Sequence, residues 1–245
     1  MDDERNVKLV IEYDGTNYHG WQIQKNLDTI QGNLEKAVLS LTGENVKIIG
    51  AGRTDSGVHA KGQVANFRIS KTLKTIQIVG GLNFYLPDDI VVKSAEFVSS
   101  SFHSRYSARK RIYHYHICRE RTAIRRYFCW QVYKNFSLKL LNQMAKMLEG
   151  NHDFSAFSRL IVNSQHKRCI VFESRWFERE DECVFRIVAN RFLHGMVRTI
   201  VGTMMDFAYG KHNIENFCDI FYGKNRVKAG SAAPAHGLIL EEVIY

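Results

Sequence analysis

The sequence predicts an α+β fold built from two similar domains, residues 1–104 and residues 105–245. The chain has 245 residues, a length that suits one large domain or two smaller ones, each with a hydrophobic core. Apolar runs rich in β-branched residues alternate with amphipathic helical segments throughout the chain. Several of these runs lie too close together for parallel crossover connections, so we expect the sheets to be mostly antiparallel.

The first domain is predicted to contain four strands and two helices. In the first helix, Ile30, Leu34 and Val38 share one face. Asp28 is the expected N-cap of this helix, and Gly43 is expected to end it. The predicted strands span residues 7–13, 46–51, 64–69 and 90–97, and the predicted helices span residues 29–41 and 71–84.

The second domain is predicted to repeat this style. The runs at 169–177 and 183–189 are expected to form a hairpin around the acidic residues 180–182. The helix predicted at 192–209 carries a long apolar stripe. The remaining predicted strands span residues 112–117, 128–132 and 238–244, and the remaining predicted helices span residues 138–148 and 213–222.

Composition excludes several classes of protein. No run of about 18 apolar residues occurs, so no membrane span is predicted. The acidic start, Met-Asp-Asp-Glu-Arg, lacks the apolar segment of a signal peptide. The cysteines are odd in number and include no C-x-x-C pair, which favours five reduced thiols in a cytoplasmic protein and argues against zinc. They are Cys118, Cys129, Cys169, Cys183 and Cys218.

The positive charge is concentrated in the second half of the chain. The net charge of the whole chain is +9. Residues 1–104 carry a net charge of −1, whereas residues 105–245 carry +10. Such an asymmetry predicts a face that binds a polyanion, although a merely soluble basic surface would look the same.

Much of this excess lies between residues 105 and 126, where eight basic residues accompany one acid. Tyrosines interleave these cations, and the combination suits RNA, because cations neutralise phosphates and aromatic rings stack on unpaired bases. On a strand, Tyr113 and Tyr115 share one face, and His114 and His116 share the other. The alternative is that the tyrosines face the core. The histidine pair has no acidic or cysteine partner at useful spacing, so no metal site is predicted.

The most unusual segment is residues 50–60, Gly-Ala-Gly-Arg-Thr-Asp-Ser-Gly-Val-His-Ala. It is not a dinucleotide loop, because Asp55 stands where the third glycine is required. It is not a Walker loop, because Val58 and His59 follow its last glycine. What remains is Asp55 beside Arg53 in a glycine-lined turn, where an ionised carboxylate could act as nucleophile or base. The alternative is a structural Asx turn with a surface ion pair.

Two further segments could contribute to a site. The helix expected after residue 190 sets Arg191, His194 and Arg198 near one face. Arg198 could then present a cation to a pocket, or it could be a solvated arginine. Residues 12–22 form a polar and aromatic loop, which could be a substrate loop or an ordinary turn.

These residues resemble the TruA family of tRNA pseudouridine synthases. Residues 52–60, Gly-Arg-Thr-Asp-Ser-Gly-Val-His-Ala, are similar to the signature of that family. Further blocks along nearly the whole chain resemble family blocks in the expected order. They are residues 12–22, 62–64, 82–90 (LNFYLPDDI), 102–115, 151–157 (NHDFSAF), 190–202 and 233–240 (APAHGLIL). Ser231 departs from the family, in which many members have proline.

The resemblance implies a site and an activity. It implies that Asp55 is the catalytic carboxylate, Tyr113 stacks on the target base, and Arg198 pairs with the aspartate, while Arg53 binds substrate. The implied fold joins two α+β sheets into one larger sheet with helices on one side, and the implied active-site cleft lies between the domains. The implied enzyme is a homodimer that uses no cofactor. It modifies positions 38–40 in the anticodon arm of tRNA.

Two other functions compete with this one. A base deaminase also handles extruded nucleotides, but it needs H-x-E and P-C-x-x-C motifs, and neither proline here precedes a cysteine. A non-catalytic RNA-binding module would explain the charge and the tyrosines. It would give no reason for an aspartate in a glycine-rich turn.

Overall fold

The structure is a computed structural model that describes residues 4–159, 167–210 and 214–245. The chain divides into two compact units: unit 1 comprises residues 1–109 and 240–245, and unit 2 comprises residues 110–239. Because residues 240–245 belong to the first unit, no single boundary in the sequence separates the two units. Within the described residues, no helix is both long enough and apolar enough to cross a bilayer.

Ten strands and five α-helices occur in the described parts of the chain. In order they are β1 (Arg5–Tyr13), α1 (Ile30–Thr42), β2 (Ile49–Gly50), β3 (His59–Ile69), α2 (Thr75–Tyr85), β4 (Ile90–Val98), β5 (Lys110–Cys118), β6 (Trp130–Gln131), α3 (Leu138–Met147), β7 (Gly150–Asp153), β8 (Arg168–Arg179), β9 (Glu182–Ala189), α4 (Met196–Ala208), α5 (Ile214–Tyr222) and β10 (Leu238–Ile244). This mixture of elements confirms the α+β class. Of the helix predicted at 213–222, residue 213 lies outside the described residues.

Unit 1 is an antiparallel sheet with two helices. Its strands follow the order β4-β1-β3-β10, with β2 paired to β3. β1 is antiparallel to both β3 and β4. Val7, Leu9 and Ile11 alternate along β1 and are fully buried, which gives the sheet one apolar face. The structure places the N-cap of α1 at Thr29 rather than Asp28, because the Thr29 side chain accepts from the backbone N–H of Gly32.

Unit 2 contains the antiparallel strand order β5-β9-β8-β7. The predicted hairpin is confirmed as β8 and β9, which are connected at Glu180, a residue with φ of 54°. An aromatic cluster of Phe154, Phe157, Phe217 and Phe221 is almost fully buried. Burying each of these rings contributes roughly 2–3 kcal/mol, so the cluster anchors α5 to the segment that follows β7 through hydrophobic packing.

The helix predicted at 192–209 is wrong at its N-terminus. α4 begins at Met196, because Gly195 adopts a left-handed conformation with φ of 70° immediately before it. Arg191 and His194 therefore precede the helix, and they do not share a helical face with Arg198. Only Arg198 of these three side chains is positioned by the helix.

The expectation of five free thiols is also wrong. Cys118 and Cys129 form a disulfide, while Cys169, Cys183 and Cys218 remain free. The pairing arises because β6 runs parallel to the end of β5, with Ile117 opposite Trp130. That register brings the Cα atoms of the two cysteines within 5.9 Å, a separation suited to a disulfide.

Candidate functional site

Residues 50–60 form a tight loop that connects β2 to β3 in unit 1. The backbone N–H of Val58 donates to the carbonyl of Asp55 at 3.2 Å, and Gly57 has a φ of 74°, so the chain turns sharply at the aspartate. From β3, the fully buried Gln63 donates its side-chain N–H to the carbonyl of Gly52 at 3.0 Å. Both ends of the loop are thus fixed to the sheet.

A second loop, residues 14–21, lies directly against this first loop. The backbone N–H of Trp21 donates to the carbonyl of Thr54 at 3.1 Å. The carbonyl of Tyr18 accepts from the Ser56 hydroxyl at 3.1 Å. Gly20 has a φ of 86°, and a Cβ on it would lie 2.6 Å from the carbonyl oxygen of Thr54. Two backbones therefore meet at the residue before Asp55 with no room for a side chain between them.

Buried polar side chains support the two loops from below. The hydroxyls of Tyr13 and Thr54 share a hydrogen bond of 2.8 Å, and both side chains are nearly fully buried. Burial raises the pKa of Tyr13 above its usual value, so its hydroxyl stays protonated at neutral pH. The Tyr18 hydroxyl donates to the carboxylate of Asp89. Sequence reasoning left residues 12–22 undecided, and the structure shows them to be the support of the Asp55 loop.

The two charged side chains of the loop differ in their surroundings. Asp55 is partly exposed and Arg53 is exposed. Within the described residues, Arg53 makes no ion pair, so the surface ion pair between Arg53 and Asp55 that the sequence allowed is absent. The structural alternative combines an Asx turn with a surface ion pair, and of these two features the ion pair is missing among the described residues. The loop presents an accessible carboxylate on a rigid backbone.

In unit 2, Tyr113 lies on β5, where it is paired with Ile187 of β9. Its side chain is 7 % exposed, and its ring meets Phe192 edge to face at a centroid distance of 5.1 Å. Tyr115 is fully buried on the same face, where its hydroxyl donates to the carbonyl of Pro234 at 2.9 Å. The alternative that these tyrosines face the core therefore describes Tyr115, and Tyr113 is buried as well. The Phe192 contact fixes the plane of the Tyr113 ring.

Arg198 lies in the first turn of α4 and is partly buried. Its Nε donates to the carbonyl of Ala233 at 2.8 Å, and the backbone N–H of Ala233 donates back to the carbonyl of Arg198 at 2.9 Å. This reciprocal pair ties the helix to the segment 233–237. Because the Nε bond lies in the guanidinium plane, it also fixes the orientation of that plane.

His236 stands in the same segment and is neutral at pH 7. Burial lowers its pKa below the usual 6.5, and the positive charge of Arg198 lowers it further, although a hydrogen bond to the backbone of Cys129 opposes the shift. The ring thus adds no charge beside the guanidinium. The block 233–240 includes His236, but nothing in the sequence indicates that this ring lies near Arg198, because the two residues are distant in the chain.

Comparison with known proteins identifies the family of this chain. The family model described as tRNA pseudouridine synthase matches residues 9–107 and 144–245. These ranges include Arg53, Asp55 and Arg198 but not Tyr113. The chain is 44% identical over 243 residues to tRNA pseudouridine synthase A of Thermoanaerobacter sp. (strain X514), covering 98% of this chain and 100% of the relative.

Other relatives agree over the same length. The chain is 44% identical over 244 residues to tRNA pseudouridine synthase A of Acetivibrio thermocellus, covering 98% of this chain and 100% of that protein. It is 40% identical over 243 residues to tRNA pseudouridine synthase A of Clostridium acetobutylicum, with the same coverage. With matches of this extent to the family model and to full-length relatives, the chain belongs to the tRNA pseudouridine synthase family.

Proposed function

We propose that this protein isomerises uridine to pseudouridine at positions 38–40 in the anticodon arm of tRNA, with Asp55 as the catalytic carboxylate. The observation that carries the proposal is the Asp55 loop. Hydrogen bonds from β3 and from residues 14–21 hold its backbone, while the carboxylate stays partly exposed. The loop lies within the range that the family model matches. A rigidly held and accessible carboxylate is what a reaction at a sugar or a base requires.

The reaction itself needs no external electrons or atoms. The N1–C1′ bond of the nucleotide breaks, the base turns, a C5–C1′ bond forms, and a proton passes from C5 to N1. We therefore expect no cofactor and no metal. Asp55 would act in one of three ways: by attack on C1′, by abstraction of a sugar proton, or by addition to C6 of the base.

Three further side chains have proposed roles. Arg198 would keep Asp55 ionised and aligned, and its tie to Ala233 supports this role because it fixes the guanidinium plane. Tyr113 would stack on the uracil, and the edge-to-face contact with Phe192 supports this role because it sets the ring plane. Arg53 is exposed beside Asp55 and would contact an RNA phosphate.

Binding of tRNA is assigned to the basic half of the chain. Residues 105–245 carry a net charge of +10, which suits a phosphate backbone. A homodimer that holds one tRNA through both subunits completes the proposal. Because charge supplies most of the affinity, loss of the catalytic carboxylate leaves binding intact.

The test replaces Asp55 with asparagine. We expect Asp55→Asn to lower turnover by at least about 10³-fold, since the amide cannot act as nucleophile or base, while the Kd for tRNA stays within about twofold of the wild-type value. Turnover is measured as tritium released from C5-labelled uridine in tRNA, and binding is measured on the same RNA. Asp88→Asn, an exposed aspartate of the same unit, is the matched control.

Retained turnover in Asp55→Asn would defeat the assignment of the catalytic residue. An absence of tritium release from any tRNA by the wild-type protein, together with normal binding, would favour the non-catalytic RNA-binding module. Binding alone cannot remove the C5 proton. The same measurement therefore separates the two functions.

A further inference from the structure

The Cys118–Cys129 disulfide closes a basic loop in unit 2. We call residues 119–128, with the sequence Arg-Glu-Arg-Thr-Ala-Ile-Arg-Arg-Tyr-Phe, the arginine loop. It contains four arginines and one glutamate. It lies between the two segments that the family model matches, residues 9–107 and 144–245. The family model therefore does not cover this loop, although the full-length relatives extend across it.

The base of the arginine loop is held by the disulfide and by backbone hydrogen bonds. Besides the disulfide, the strands β5 and β6 pair in parallel there. The backbone N–H of Val132 donates to the carbonyl of Cys118 at 2.9 Å. Both cysteines are buried, with exposed fractions of 2 % or less. Since β6 has only two residues, the covalent bond is a large part of what closes the loop.

Two arginines of the loop are used to attach it to the β8–β9 hairpin. Arg119 donates to Glu178 of β8 at 2.6 Å, and Arg125 pairs with Glu182 and Asp181. Glu182 is only 11 % exposed. These pairs fix the inner side of the loop and use the charge of both arginines.

The outer side of the loop carries exposed cations and exposed apolar side chains. Arg121 is exposed and makes no hydrogen bond or ion pair with any described residue. Arg126 donates to the carbonyl of Ala123 at 2.6 Å and lies 4.1 Å from the centre of the Tyr127 ring. Tyr127 and Ile124 are 44 % and 87 % exposed. Exposed guanidinium groups beside an exposed ring are suited to a phosphodiester backbone and its bases.

We propose that the outer side of the arginine loop binds the RNA backbone, and that the Cys118–Cys129 disulfide orders this loop in advance, so that RNA affinity depends on the thiol–disulfide state of the protein. The choice of RNA as partner rests on the proposed function. In the oxidised protein the loop binds as a rigid surface. In the reduced protein it must lose conformational freedom when it binds, and its affinity falls.

The chemical step is an ordinary thiol–disulfide exchange. A dithiol reductant gives two electrons and two protons to the Cys118–Cys129 bond. The products are two protein thiols and the cyclic disulfide of the reductant. Because both sulfurs are buried, reduction requires the base of the loop to open, and we expect it to be slow.

The first measurement counts thiols in denatured protein that has not been exposed to reductant. Three reactive thiols are expected, from Cys169, Cys183 and Cys218. Burial raises the pKa of Cys169 to about 11 and that of Cys183 to about 12, so these two are poor nucleophiles in the folded protein and do not exchange with the bond. A count of five in protein purified under air would overturn the proposal.

The second measurement compares RNA affinity in the two states. We expect reduction with dithiothreitol to weaken the Kd for a tRNA transcript by about threefold to tenfold, the effect of ordering a few loop side chains on binding. The double variant Cys118→Ser/Cys129→Ser should match the reduced wild type and should not respond to reductant. Cys218→Ser, which alters a free cysteine of α5, should respond as the wild type does. An equal Kd for oxidised and fully reduced wild type would overturn the proposal, even if the double variant fails to fold.

The third measurement identifies the partner surface. Arg121→Ala and Arg126→Ala should each reduce the slope of log Kd against log salt by about 1, as expected for the loss of one phosphate contact. Lys36→Ala, an exposed cation on α1, should leave the slope unchanged. Unaltered slopes in both arginine variants would exclude RNA from this surface.

These outcomes are independent of turnover. Redox-dependent binding without tritium release would refute the proposed function and leave this inference standing. Tritium release together with a Kd that does not depend on the redox state would refute this inference and leave the proposed function standing.

Discussion

Units 1 and 2 hold their proposed functional side chains in different ways. In unit 1, Asp55 is placed by its backbone, which is trapped between β3 and residues 14–21, with Gly20 at the point of closest approach. In unit 2, Arg198 is placed by its own side chain, which is tied to Ala233. The first arrangement is sensitive to added bulk at a glycine far from Asp55 in sequence. The second is sensitive to the shape of the cation itself.

The largest effect is expected from Gly20→Ala. The new Cβ would lie 2.6 Å from the carbonyl oxygen of Thr54, at a backbone φ of 86°, so the two loops must separate. We expect the free energy of unfolding to fall by about 2–4 kcal/mol, and turnover to fall with it because Asp55 moves. Urea denaturation and the tritium assay measure the two effects.

The matched control is Gly43→Ala at the end of α1. Gly43 has a φ of 79°, but a Cβ there would meet nothing within 4 Å. Only the conformational cost of about 1 kcal/mol is expected, with turnover unchanged. Equal losses of stability and activity in the two variants would refute the backbone account of the Asp55 loop.

The next effect sharpens the account of unit 2. Arg198→Lys keeps the positive charge but removes the planar Nε–H that donates to Ala233. We expect kcat/KM to fall by about 10–100-fold, the equivalent of losing a charged hydrogen bond, with little change in the Kd for tRNA. Arg191→Lys, an exposed arginine before the helix, should retain nearly full activity. Wild-type kinetics in Arg198→Lys would show that charge alone suffices.

The smallest effect concerns the pH dependence of unit 2. Burial opposes the ionisation of Glu182, but its hydrogen bonds and charge pairs with His116 and Arg125 lower its pKa below the usual 4.5. The stability it contributes is therefore complete above about pH 4.5 and is lost as the pH falls through the lower, folded-state value.

Glu182→Gln tests this sign. We expect the variant to be about 1–2 kcal/mol less stable than the wild type at pH 7, and we expect the difference to shrink in urea titrations below pH 4.5. Glu178→Gln removes an ion pair in which both side chains are about half exposed, so its effect should stay within about 0.5 kcal/mol at every pH. A Glu182→Gln difference that grew on acidification would contradict the pKa direction.

Much of the fold could be predicted from local pattern. The predicted helix 138–148 agrees with α3 at Leu138–Met147, because Ser137 caps it and its apolar residues repeat at helical spacing. The strand predicted at 90–97 agrees with β4. The glycine spacing and the absence of a phosphate-loop pattern also singled out Asp55 from its own segment. These features depend on residues close together in the chain.

The features that sequence reasoning missed depend on distant contacts. The start of α4 is set by the backbone conformation of Gly195, which composition does not reveal. The support of Asp55 by residues 14–21 and the bond between Tyr18 and Asp89 join segments far apart in sequence. The disulfide follows from the parallel register of β5 and β6, and counting cysteines could not detect it.

The position of β10 constrains how the protein can be made. Residues 240–245 belong to unit 1, where Glu241 pairs with Lys61 and the Tyr245 hydroxyl donates to the carbonyl of Ser104. The ribosome synthesises them only after all of unit 2. The first unit to emerge is therefore the last whose sheet is completed, and a gene cut at the junction after residue 109 would yield a first half in which β3 lacks its β10 partner.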